Sequence, residues 1–218
     1  EEAWCQPCLS PVWDTALAMQ ALMEAGEPTS TASIEKACTW IRDLQITDVR
    51  GDWGSKTPDL APGGWAFQYR NDFYPDVDDT AVVGMALYRA DSSANDDTLR
   101  RAADWIIGMQ SKNGGWGSFD VDNTHYYLNH IPFADHGALL DPPTADVSAR
   151  CLSFLAQDGC GKDHPAVKAA IAYLRAEQEE DGSWFGRWGT NYVYGTWSVL
   201  SAFNVIGIAA DDPAIVQA

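Results

Sequence analysis

Arg101-Ala102-Ala103-Asp104-Trp105-Ile106-Ile107-Gly108-Met109-Gln110-Ser111-Lys112-Asn113-Gly114-Gly115-Trp116 decides the fold, because the chain contains it again. Lys168-Ala169, Tyr173-Leu174, Gln178, Gly182 and Trp184 repeat its order and most of its spacing. A looser copy runs through Lys36-Ala37, Trp40-Ile41 and Gln45 and then stretches to Gly51-Asp52-Trp53. Self-similarity at a fixed long period marks a repeat architecture, in which one unit buries its apolar face only against the next.

A second element recurs in the gaps: Trp13-Asp14-Thr15-Ala16, Asp78-Asp79-Thr80-Ala81 and Ala145-Asp146-Val147-Ser148, with Gly195-Thr196-Trp197-Ser198 as a fainter relative. From the acid of each of the first three to the following Gln is the same distance to within one residue, so one unit holds two elements. Both are expected to be helices. Leu99, Ala102, Ala103 and Ile106 fall at i, i+3, i+4 and i+7, as do Val199, Ala202, Phe203 and Ile206. Pro75-Asp76 and Asp141-Pro142-Pro143-Thr144 have the composition of helix starts, which gathers acids at one end of successive helices. The segments between Ile46 and Pro75 and between Ser111 and Ala145 are rich in Gly, Pro, Asn and Asp and longer than a connection requires, a mark of functional loops.

Composition narrows the function. Of 218 residues, 14 are Lys or Arg and 31 Asp or Glu, a net charge of −17 that makes nucleic acid and anionic membrane surfaces poor partners. Hydrophobic residues at 46% are enough for a core. No apolar run approaches the ~20 residues of a membrane-spanning helix. Five cysteines, an odd number in a chain too long to need stapling, point to free thiols. Cys5 and Cys8 form a C-x-x-C with no second pair at zinc-ribbon spacing, and the four His show no ligand spacing. Asp120-Val121-Asp122-Asn123 opens like a calcium loop, but His125 and Ile131 stand where Gly and Glu are required.

Asp76-Val77-Asp78-Asp79 places three carboxylates at a helix start, beside Trp65, Phe67, Tyr69, Phe73 and Tyr74. Capping of a solvated helix end is the plain reading. Three acids in an apolar neighbourhood, however, cannot all ionise, and one that keeps its proton is a general acid. An aspartic acid with an unperturbed pKa of ~3.9 is protonated only about once in a thousand at pH 7, so burial has to lift it. Asp146 and Arg150 stand at i, i+4, and Arg150 is expected to pair first with Asp146, since intimate contact with Asp78 would empty the acid. No nucleophile elbow, phosphate loop or metalloprotease motif is present. An acid with aromatic walls and no nucleophile suits chemistry that makes carbocations, which ring faces stabilise without attacking.

These motifs resemble the triterpene cyclases. The Gln-to-Trp repeats are similar to that family's QW motifs, and Asp76-Val77-Asp78-Asp79-Thr80-Ala81 to the D-x-D-D-T-A of its bacterial squalene-hopene branch. Ser10-Pro11-Val12-Trp13-Asp14-Thr15, Gly114-Gly115-Trp116-Gly117, Asn129-His130-Ile131-Pro132-Phe133 and Gly182-Ser183-Trp184-Phe185-Gly186-Arg187-Trp188-Gly189 carry the same resemblance. It implies an all-α partial α/α barrel, the terpenoid cyclase toroid, with residues 1–218 an incomplete catalytic domain truncated at both ends and expected to be inactive alone. It further implies conversion of squalene to hopene and hopanol with no cofactor, in a monotopic enzyme on the cytoplasmic side of a bacterial membrane, whose membrane contact lies outside this stretch, with a homodimer as a further expectation.

Carried onto this sequence, the resemblance makes Asp78 the proton donor, Asp76 and Asp79 its supporting carboxylates, and Asp146 the acid behind it. Arg150 stands where relatives often have His, and Phe119 where they have Tyr. Tyr194 would lie near the protonation site, with Trp13, Phe67 and Trp188 lining the cavity. Gln110, Gln178, Trp116 and Trp184 are expected to be structural. Two other classes share the gross pattern. A glycoside hydrolase on an α/α barrel would have an open, polar-rimmed cleft, and a non-catalytic helical repeat would leave Asp76 to Asp79 exposed.

Overall fold

The computed structural model describes residues 9–131 and 139–218. Cys5, Cys8, His136 and the Pro132-Phe133 end of one motif lie outside the described residues. Eight α-helices dominate the described residues: α1 (Pro11–Glu24), α2 (Ala32–Asp43), α3 (Val77–Asp91), α4 (Asp96–Gly108), α5 (Ala145–Gln157), α6 (Pro165–Ala176), α7 (Asn191–Ile206) and α8 (Pro213–Gln217). Odd-numbered helices lie side by side as an inner layer, α1 on α3, α3 on α5 and α5 on α7. Even-numbered helices back them, with α2 on α1 and α3, α4 on α3 and α5, and α6 on α5. The core lies between the layers.

Burial follows the sequence period. In α4 the buried set includes Leu99, Ala102, Ala103 and Ile106, one apolar stripe with the opposite face in water. Inner helices have neighbours on several sides, so every residue of α5 from Ala145 to Leu155 is buried, the charged Asp146 and Arg150 included. Starts are capped locally. Ser10 Oγ accepts from Trp13 N at 2.9 Å ahead of Pro11, and Asp76 accepts from the amides of Asp78 and Asp79.

The repeated Gln and Trp join consecutive outer helices. Trp116 Nε1 donates to Ile106 O at 2.7 Å and Trp184 Nε1 to Leu174 O at 2.6 Å, adding a donor to carbonyls of the last helical turn. Gln110 Nε2 donates to Gly114 O and, across to the next outer helix, to Ala166 O. Gln178 does the same to Gly182 O and Ala214 O. A fully buried Trp removes on the order of 200 Å² from water, worth roughly 5 kcal/mol as an upper figure, provided its N–H finds a partner.

The first copy ends elsewhere than the spacing suggests. Gln45 Nε2 donates to Gly63 O and Thr98 O, and it is Trp65 whose Nε1 donates to Ile41 O. Trp65 is therefore the partner of Gln45, and Trp53 instead meets Trp105 edge-on at 5.7 Å. The intervening segment is an insertion that the other copies lack, and Gly63-Gly64-Trp65 is the counterpart of Gly114-Gly115-Trp116. Close approach explains the shared glycine: a Cβ on Gly63, Gly114 or Gly182 would lie within 2.4 Å of the carbonyl oxygen of Arg101, Ala169 or Gln217 in the next outer helix. Trp65-Ala66 then pairs antiparallel with Pro75-Asp76, which delivers the chain to the start of α3.

Candidate active site

Three backbone hydrogen bonds set the register of the inner helices. Trp65 N donates to Thr80 Oγ1 at 2.9 Å, Trp116 N to Ser148 Oγ at 2.9 Å and Trp184 N to Thr196 Oγ1 at 3.0 Å. Each Trp of the repeat thus latches onto a hydroxyl in the first turns of the following inner helix. Two residues before those hydroxyls stand Asp78, Asp146 and Tyr194. The matching Thr15 in α1 puts Trp13 in the same place by sequence. Three of the candidate residues therefore occupy one structural position repeated around the inner layer, and Trp13 matches it by sequence.

Arg150 sits one helical turn beyond Asp146 and joins that layer from inside. Its Nη2 donates to Asp78 Oδ2 at 2.6 Å and its Nε to Oδ1 of the same carboxylate, a bidentate ion pair with both side chains buried. The guanidinium lies over the rings of Tyr194 at 5.0 Å and Trp13 at 5.6 Å, and Nη1 reaches Ser198 Oγ at 3.4 Å. The expected first pairing of Arg150 with Asp146 is thus corrected. Side chains of an inner helix are directed sideways onto neighbouring helices, and α3 offers Arg150 a two-oxygen partner where its own helix offers an i, i−4 contact.

Asp146 is fully buried and forms no ion pair with Arg150 among the described residues: its Oδ2 accepts from Trp188 N at 3.0 Å, and Oδ1 has no partner among them. It anchors the loop that carries Trp188, whose ring lies against the Arg187 guanidinium at 5.3 Å and is 44% exposed. Phe67 is half-buried and held through its carbonyl, which accepts from Ser10 Oγ at 2.5 Å. Phe119 is half-buried in the loop beyond Trp116. The sequence pattern missed Ser198, although it stands four residues after Tyr194 as Arg150 stands four after Asp146.

Electrostatics separates the three acids. Burial lifts Asp76 and Asp79 well above the ordinary carboxylate range, reinforced by their like-charged neighbours. For Asp79 nothing compensates fully, since its buried Oδ1 lacks a hydrogen-bond partner among the described residues. Burial also raises Asp78, while Arg150 opposes the rise by ion pairing and hydrogen bonding. Burial pushes the Tyr194 phenol up to about 12. A cluster of this kind keeps protons on its flanking carboxylates and gives its central one a fixed, non-titrating cation. Asp76 combines the two readings of its tetrapeptide, as helix cap and as buried acid. Asp141 does not cap α5, whose N-cap is Thr144; its carboxylate faces the loop at 118–120 instead.

Buried acids remove the non-catalytic repeat, which required them in solvent. Residues 9–218 match the squalene-hopene cyclase C-terminal domain family. The chain is 60% identical over its whole length to the squalene–hopene cyclase of Zymomonas mobilis, covering 34% of that protein, and 50% identical over 93% of its length to that of Alicyclobacillus acidocaldarius, covering 32%. It thus spans about a third of the length of the curated relatives it matches. Among solved structures, the type II terpene cyclase MstE from Scytonema superposes with a TM-score of 0.64 at 22% identity, covering 98% of this chain and 56% of MstE, which establishes the shared helical fold. With its repeated Gln–Trp ties, its two helix layers and its match over nearly all its length, the chain belongs to the squalene-hopene cyclase C-terminal domain family.

Proposed function

We propose that the full-length protein cyclises squalene to hopene and hopanol, and that residues 1–218 supply its initiating acid. The observation that carries this reading is the buried Asp78–Arg150 pair, framed by Trp13 and Tyr194 and flanked by Asp76 and Asp79. The bidentate Arg150 pair is the emptied state of Asp78, and burial, which raises its pKa, favours its reloading with a proton from solvent. In the initiating step the π pair of a terminal double bond takes that proton from the Asp78 carboxyl, forming a C–H bond and leaving a tertiary cation. Asp78 is left as a carboxylate, which Arg150 stabilises, and this makes the protonated form a stronger acid. Successive double bonds then attack the cation until a proton is lost, giving hopene, or water is captured, giving hopanol.

Asp76 and Asp79 contribute a proton-retaining field beside Asp78. Trp13, Phe67, Phe119 and Trp188 fold the polyene and present ring faces to the moving charge. The remaining cavity wall and the membrane contact of a monotopic protein belong to sequence outside residues 1–218. Names of the relatives at 50–60% identity support this substrate. The test incubates membranes holding the full-length protein with squalene and analyses the neutral lipids by mass spectrometry. Loss of hopene in Asp78→Asn is expected, and undiminished hopene overturns the assignment.

A further inference from the structure

Asp141 is a buried carboxylate with no part in the steps above, and it is bonded as few are. Its Oδ1 accepts from Ser118 N at 2.9 Å, and its Oδ2 accepts from Phe119 N at 2.6 Å and Asp120 N at 2.7 Å. Three consecutive amides converge on one side chain, whereas a helix cap uses one or two. The segment that receives them is packed so closely that a Cβ on Gly117 would lie 2.5 Å from Asp141 O and 2.8 Å from Oδ2.

Two further bonds connect this knot to the acids and to the other cavity loop. Ser118 O accepts from Val77 N at 2.7 Å, at the first residue of α3 and next to Asp76 and Asp78. Leu140 O accepts from Arg187 Nη2 at 2.7 Å, beside Trp188. Resting on the function proposed above, we propose that Asp141 is a positioning residue for the cyclisation, which by holding the amides of Ser118, Phe119 and Asp120 fixes the Phe119 ring relative to Asp78. It touches no substrate and acts through Phe119. Misplacement of a reacting or stabilising group by about 1 Å costs on the order of 100-fold in rate, so a loop released from three bonds is enough to impair the reaction without unfolding the protein.

A double-mutant cycle on the full-length enzyme with squalene tests this, with Tm recorded for each variant. Asp141→Ala is expected to lower kcat/KM by about 10- to 100-fold. In a Phe119→Ala background the same change is expected to cost less than about 3-fold, because the ring it positions is gone, while in a Trp13→Ala background the full loss returns. Asp141→Asn, which keeps one acceptor oxygen, is expected to fall between wild type and Asp141→Ala, and the cycle is run with it should the alanine variant not fold. Equal losses in all three backgrounds, or an Asn variant equal to wild type, overturn the inference while leaving squalene cyclisation standing. A wild-type enzyme that leaves squalene unchanged removes the proposed function and this inference with it.

Discussion

Arg150 carries one charge and meets Asp78 through two nitrogens, and each property has its own consequence. Its charge is fixed, because guanidinium does not titrate in proteins, so the conjugate base of the proton donor is stabilised at every working pH. Arg150→Gln is expected to reduce hopene formation by about 100- to 1000-fold, the scale of losing one preorganised charge-stabilising donor set. Arg150→His is expected to restore part of that loss, with activity falling as pH rises through the imidazole pKa, a limb absent from wild type. A pH profile of kcat for the three proteins checks both statements. Asp79 gives the opposite case: it is buried, its pKa is raised, and Oδ1 has no partner among the described residues. Asp79→Asn is therefore expected to raise stability by on the order of 1 kcal/mol at neutral pH while lowering turnover, read as a higher Tm with less hopene. The i, i+4 spacing that suggested Asp146 as the partner of Arg150 describes an isolated helix surface. It carries no information on which neighbouring helix lies closer, and that packing decided the pair.

Between helices, the Trp-to-hydroxyl latches tie the structural repeat to the chemistry. Thr80 Oγ1 accepts from Trp65 N and donates to Asp76 O at 2.7 Å, so one hydroxyl bridges the Gln–Trp turn and the cap of the acid-bearing helix. Removing it in Thr80→Val keeps the shape and strands a buried amide, at a cost of about 1–3 kcal/mol; Thr80→Ser is expected to recover most of it, by thermal unfolding of the full-length protein. The same ladder shows what was legible in sequence. Helices and their pairing into units followed from periodic Leu, Ala, Ile and Phe positions and from Gln at 45, 110 and 178, while the two layers followed only from the family resemblance. The equivalence of Asp78, Asp146 and Tyr194 did not, because three different side chains at one position leave no sequence pattern until the Ser and Thr hydroxyls are seen to share a partner. Trp53 stands in place of Trp65 in the sequence pattern for a related reason: it is the first Trp after Gln45, and only the bond to Ile41 O identifies the correct ring. Asp141 was hidden by its setting before two prolines, which suits a cap as well as a clamp.

Over the whole molecule, charge acts in two ways that salt can separate. The chain carries −17, and mutual repulsion of its exposed carboxylates destabilises the compact state increasingly as they ionise. That contribution is screened by salt over a Debye length of ~8 Å at physiological strength. The buried acids form the second contribution. Asp76, Asp78, Asp79 and Asp141 all have pKa values raised in the fold, so the folded state binds their protons more tightly than the unfolded chain does. Their stabilising effect is complete below the ordinary aspartate range and is lost as pH rises through the raised values, the opposite direction to a half-buried paired acid such as Asp212, whose pKa Arg175 lowers. Tm of the full-length protein is therefore expected to fall as pH rises above the ordinary aspartate range. Added salt should restore the part due to surface repulsion and leave the part due to the buried cluster. Asp79→Asn should shrink that salt-resistant part, since it removes one raised acid and no surface charge. A pH dependence abolished entirely by salt, or unchanged in Asp79→Asn, would place the titration at the surface and deny the cluster the protons that its chemistry requires.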